Sequence, residues 1–125
     1  MKKIALLISI LTLIVIVSCK NEPLNPDRFK TGTFEIPEGK GYEKTIIIRY
    51  DSIQIETYEN RIDTLSIVWK NNFNYTLKMI NPKTAIDEDP IYVKITNIEK
   101  DSYEFEAVIG HSNFVQKGKL IKKSN

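Results

Sequence analysis

The stretch Phe73-Asn74-Tyr75-Thr76-Leu77-Lys78-Met79 alternates apolar and polar side chains without a break. A period of two places Phe73, Tyr75, Leu77 and Met79 on one face of an extended strand, with Asn74, Thr76 and Lys78 on the other. The same period recurs on both sides of it. Upstream, Lys44–Tyr50 sets Ile46, Ile48 and Tyr50 together, Ile53–Glu59 sets Ile53, Ile55 and Thr57 against Gln54, Glu56 and Tyr58, and Ile62–Lys70 groups Leu65, Ile67 and Trp69. Downstream, Ile91–Ile98 groups Ile91, Val93 and Ile95, and Tyr103–Ile109 groups Tyr103, Phe105, Ala107 and Ile109 opposite Glu104 and Glu106. Phe29–Ile36 and Phe114–Lys122 complete the series. No helical pattern of useful length interrupts it.

Short connections with turn chemistry separate these runs: Asp51–Ser52, Asn60–Arg61, Asn71–Asn72, Lys100–Asp101–Ser102 and Gly110–Asn113. Only Ile80–Pro90 is long. Short loops force sequential strands to pair antiparallel, so about eight strands make an up-and-down meander. With one apolar face and no helix to cover it, the sheet must curl on itself or split into two layers. The expected fold is all-β, a small closed or nearly closed barrel, with a flattened sandwich as the alternative. The inward set is expected to include Ile48, Tyr50, Leu65, Trp69, Phe73, Tyr75, Leu77, Met79, Phe105 and Ile109. That bulk leaves at most a small apolar slot near Trp69, Tyr75 and Phe105.

The chain has 125 residues, room for a single core. One Cys excludes an internal disulfide framework, and one His leaves a single candidate imidazole base. Met1-Lys2-Lys3 is a basic start, and Ile4–Val17 is apolar apart from Ser9 and Thr12. Such a run is too short for the roughly 20 residues that cross a bilayer, and it fits the apolar segment of an export signal. Ile16-Val17-Ser18-Cys19 resembles the lipobox of bacterial lipoproteins, in which the Cys thiol is diacylated and the peptide is cut just before it. The resemblance implies a signal peptide over residues 1–18 and an acylated Cys19 that moors the chain to a membrane in the cell envelope. By the same resemblance, Lys20 after the Cys implies sorting to the outer membrane. Residues 19–28, with Pro23 and Pro26, read as an extended tether, and residues 29–125 as one all-β domain. Because Lys2 and Lys3 leave with the signal, the chain from Cys19 onward carries equal numbers of basic and acidic residues. A neutral body has no electrostatic footprint for nucleic acid.

Over roughly Phe29–Lys122 the organisation resembles the calycin group of lipocalin-like meander barrels, and Phe29-Lys30-Thr31-Gly32-Thr33-Phe34 is similar to their opening strand, with Phe34 where Trp is usual. It is also similar to small bacterial lipoproteins with a lipobox Cys, a Lys30–Phe34 opening, Gln54-Ile55-Glu56, a Trp strand at Trp69 and Tyr103-Glu104-Phe105-Glu106. Relatives of that kind sometimes carry a DNA topoisomerase IV name. A topoisomerase needs a large body and a basic DNA path, and this chain supplies neither.

Candidate chemistry is sparse. His111 sits in a turn beside Ser112, which is not the arrangement of a catalytic triad. Glu104 and Glu106 alternate with aromatic residues, as the solvent face of a strand does. Asp87-Glu88-Asp89 lacks the ligand spacing of a calcium loop, and Gly39-Lys40-Gly41 that of a phosphate loop. The basic Lys117, Lys119, Lys122 and Lys123 are expected to pair with the acidic strand before them. Ser52 and Thr64 follow Asp and precede an aliphatic residue, as in O-glycosylation sites of some exported lipoproteins. No catalytic residue, metal site or cofactor is expected. The chain reads as a non-enzymatic lipoprotein binding a protein, a glycan or a small apolar ligand, or as an envelope structural or accessory protein without a ligand.

Overall fold

Runs rich in Ile, Val, Thr and aromatic residues favour extended chain, and tight polar turns bring each run back beside the last. A computed structural model describes residues 26–125. They form eight antiparallel strands: β1 (Gly32–Ile36), β2 (Thr45–Tyr50), β3 (Ile53–Tyr58), β4 (Arg61–Asn71), β5 (Asn74–Met79), β6 (Ile91–Ile98), β7 (Ser102–Ile109) and β8 (Gln116–Ser124). The strands follow chain order around a closed barrel, and β1 pairs with β8 to complete it. Closure removes the free edges an open meander would expose. The long connection after β5 holds a 3-10 turn, Ile86–Glu88, and a second, Pro26–Phe29, precedes β1. Residues 1–18, Cys19 and the tether up to residue 25 lie outside the described residues. Residues 26–28, expected to be extended, instead coil into the first 3-10 turn.

Phe34, Leu65, Ile67, Tyr75, Leu77, Val93, Ile95 and Tyr103 fill the interior. On β4 to β7 the expected faces hold: Leu65, Tyr75, Leu77, Val93 and Ala107 point in, while Val68, Lys78, Lys94 and Glu104 are exposed. On β2 and β3 the faces are reversed. Ile48 and Tyr50, expected inside, are 41% and 48% exposed, whereas Ile47, Arg49 and Gln54 are buried. Register explains the reversal. Phe34 on β1 lies opposite Ile47, and Leu65 on β4 lies opposite Gln54. Because directly paired residues share a face, two neighbouring strands whose core positions are unambiguous fix Ile47, Arg49, Gln54 and Glu56 as inward. Phe73 and Ile109 are also corrected outward, at 49% and 37% exposure. Phe73 sits in the β4–β5 turn and Ile109 is the last residue of β7, so neither is enclosed.

Candidate functional site

The two ends of the barrel are built differently. At the end where β1 begins and β2 finishes, the 3-10 turn carries Phe29 into the interior, fully buried, with its ring edge-on to Tyr103 at 5.1 Å. Arg28 donates to the Glu99 carbonyl, and Lys122 donates to the Arg28 carbonyl, so the turn is fastened from both sides. Behind this plug lies Arg49, buried without a carboxylate in contact. Its Nη1 donates to the Phe29 carbonyl at 3.0 Å, its Nη2 to the Tyr75 hydroxyl at 2.9 Å and its Nε to Gln54 Oε1 at 2.7 Å. The guanidinium also lies 4.8 Å from the Tyr75 ring centroid and 5.1 Å from that of Phe34. Burial works against the charge, but the Tyr75 and Tyr103 oxygens outweigh it and hold the Arg49 pKa above its ordinary value. Tyr103 shares a 2.7 Å hydrogen bond with Tyr75. Burial pushes the Tyr103 hydroxyl well above the usual phenol range, so it stays neutral. The cation is thus solvated by neutral oxygens and aromatic faces.

Gln54 carries the polar chain toward the other end, its Nε2 donating to Glu56 Oε1 at 2.7 Å. Burial raises the Glu56 carboxyl above the usual carboxylate range. The Gln54 bond and the Arg49 charge pull it down without cancelling the rise, and Asp63 adds to it.

At this second end the barrel is open. A cleft of about 710 Å³ enters it, with Glu56, Phe105 and Gly118 among its walls. The β1–β2 loop contributes Glu38, Tyr42 and Glu43, β3 contributes Tyr58, and the approach to β8 contributes Phe114. Gly118 is required here: a Cβ would lie 2.5 Å from the Phe105 ring, which leans over it. Gly39 plays the same part for Tyr42, whose ring would stand 2.3 Å from an added Cβ. Phe114 is 74% exposed and Tyr42 55%, so aromatic surface rims the opening. The volume lies in the range of small-ligand sites.

The residues expected around an apolar slot divide between the two halves. The Trp69 and Tyr75 rings lie 4.6 Å apart, tilted at 47°, beside Arg49, and neither lines the cleft. Phe105 does line it and touches the closed half through Tyr103 at 6.2 Å. Ser52 is exposed in the β2–β3 turn and Thr64 on the outer face of β4. His111 is exposed in the turn after β7. Glu104 and Glu106 lie on the outside of β7, opposite Lys119 and Lys117 of β8, as expected for a paired charged face. Asp87 binds Arg61 at 3.1 Å, and Arg61 also pairs with Asp63 at 2.7 Å, so this carboxylate serves the loop itself. Among the described residues no group of three or more His, Cys, Asp or Glu could hold a metal ion.

Sequence reasoning missed Arg49, Gln54, Glu56, Tyr58 and the Glu38–Glu43 loop as site components. The available signal was Arg49 following three isoleucines: a charged residue one step out of phase with Ile48 forces a choice of face. No protein-family model matches the chain, and neither the curated proteins nor the solved structures contain a significant match to it.

Proposed function

We propose that this chain is an exported lipoprotein moored through Cys19, and that its barrel is a non-enzymatic binding module with its site in the open-end cleft. The observation that supports the binding reading is the inequality of the ends. A fully buried Phe29, fastened by hydrogen bonds from Arg28, Lys122 and Arg49 to backbone carbonyls, stops one end, while the other keeps an aromatic-rimmed cleft of about 710 Å³. A purely structural barrel has no need of that difference, since small barrels fill with their own side chains.

Acylation is tested by intact mass and detergent partitioning of the native chain; an unlipidated product retaining Met1 overturns the anchor. Binding is tested with a dansyl-labelled alkyl probe titrated against the full chain. Saturable one-to-one enhancement of dansyl emission is expected, and Gly118→Leu, which drives the Phe105 ring into the cleft, is expected to weaken it about tenfold. Enhancement that does not saturate, or that Gly118→Leu leaves intact, rejects the cleft as the site.

A further inference from the structure

The cleft has a charge character that its apolar walls do not explain. Glu38 and Glu43 stand at its rim and Glu56 on its inner wall. Among the described residues none of these three carboxylates lies within ion-pair distance of a cation. Two lysines, Lys117 and Lys119, also border the cleft, leaving the carboxylates in excess by one. They flank the inward Gly118, and their ammonium groups lie 4.0 Å from Glu106 and 3.7 Å from Glu99 rather than against Glu38, Glu43 or Glu56. Lys44 turns to Glu35 at 4.0 Å, and Arg61 is held between Asp63 and Asp87. Arg49 reaches this end only through the neutral Gln54.

Glu56 is the informative member. One of its oxygens takes the Gln54 amide; the other has no hydrogen-bond donor among the described residues. It is a half-buried carboxylate on a cleft wall, without a countercharge, beside Phe105, Tyr58 and Phe114. Carboxylates interleaved with π faces attract organic cations and repel anions: a cation gains from both, whereas an anion is opposed by both.

We propose that the open-end cleft binds an amphipathic organic cation, an ammonium or guanidinium group on an apolar body, with the cation at Glu56 and the body along Phe105, Tyr58 and Phe114. The ligand supplies the countercharge that the fold withholds from Glu56. Glu38 and Glu43 draw it in and exclude anionic amphiphiles of the same shape. This assignment rests on the binding-module reading and narrows it to one ligand class.

Three probes with the same tail separate the two levels: octylammonium, octyl sulfate and octanol, titrated calorimetrically against the full chain at neutral pH and moderate salt. Octylammonium is expected to bind about tenfold tighter than octanol, and octyl sulfate more weakly than either. Glu56→Gln is expected to bring octylammonium to within about twofold of octanol. The double variant Glu38→Gln/Glu43→Gln, on an exposed loop that does not touch the core, is expected to relieve the exclusion of octyl sulfate. Octanol binding as tightly as octylammonium, or octyl sulfate binding tighter, overturns the cation assignment and leaves the binding module standing. Failure of all three probes to bind overturns both.

Discussion

The walls of this barrel follow opposite rules. From β5 to β7 the buried positions are mainly apolar and the exposed ones mainly polar, the usual division for a one-sided sheet. In β2 and β3 the inward positions are Ile47, Arg49, Gln54 and Glu56, while Ile46, Ile48, Tyr50, Ile53 and Ile55 take the outer face. The difference teaches that strand phase is set by neighbours. Phe34 and Leu65 fix the register on either side, and the reversed wall is tolerable because its buried polar groups form one connected chain. From the Phe29 carbonyl through Arg49 and Gln54 to Glu56, the linking hydrogen bonds are 2.7–3.0 Å long. A buried polar network is stable when its members are satisfied, and costly when one is removed.

The largest expected effect therefore comes from removing the centre of that network. Arg49→Met fits the space but leaves the Phe29 carbonyl, Gln54 Oε1 and the Tyr75 hydroxyl without their donor. A loss on the order of 3–5 kcal/mol is expected in urea unfolding. Lys94→Met, on the outside of β6, is expected to change stability by less than about 0.5 kcal/mol. If Arg49→Met proved equally mild, the reversed wall would not depend on its polar chain.

A pair of adjacent isoleucines tests the reversal itself. Ile47 is 2% exposed and Ile48 41%. Ile47→Ala is expected to cost about 2–4 kcal/mol and Ile48→Ala less than about 1 kcal/mol. The opposite order would restore the phase that the sequence alone suggests.

A subtler effect follows from Glu56. Its folded pKa is raised, so between the unfolded carboxyl value of about 4.3 and the higher folded value the native state holds more proton than the unfolded chain. Its contribution to stability is therefore fully present below the unfolded pKa and is lost as pH rises through the folded one. Asp87, whose pKa is lowered despite the opposing effect of desolvation by the Lys83 amide and Arg61, has the opposite slope, losing its contribution as pH falls. The difference between wild type and Glu56→Gln isolates the first group: Glu56→Gln is expected to be relatively more stable at pH 7 than at pH 4. A difference independent of pH would mean that Glu56 titrates as an ordinary carboxyl.

The meander was legible because its signals are local. Alternation marks strands, short polar turns mark antiparallel neighbours, and the scarcity of helical periodicity leaves a sheet nothing to pack against but itself. The bounds of β6 match the alternating run at Ile91–Ile98. The face of β2 was not legible, because Ile46-Ile47-Ile48 is apolar in both phases and the deciding contacts, Phe34 with Ile47 and Leu65 with Gln54, come from other strands. The cleft was hidden for the same reason. Its carboxylates come from a loop and from a strand whose inward face was taken as outward, and its opening depends on Gly118, whose role is visible only beside Phe105.

The smallest expected effect concerns the turns that hold the reversed wall in register. The β2–β3 and β3–β4 hairpins each begin their two-residue turn with a left-handed residue, Asp51 at φ 52° and Glu59 at φ 51°. Asp adopts that region at modest cost because its short side chain can bond locally; Glu lacks that advantage. Glu59→Asn keeps the side chain polar, suits the left-handed region and avoids the extra unfolded-state entropy of Gly. A gain of about 0.5–1 kcal/mol in urea unfolding is expected, whereas Glu59→Pro, which cannot reach a positive φ, is expected to lose more than that. These turns matter beyond their own energy. A one-residue slip at either would return Ile48 to the interior and expel Arg49, so tightening the turn at residue 59 deepens the preference for the reversed face. A stabilised Glu59→Asn variant in which the exposure of Ile48 had fallen would show that the turn and the reversal are separate matters.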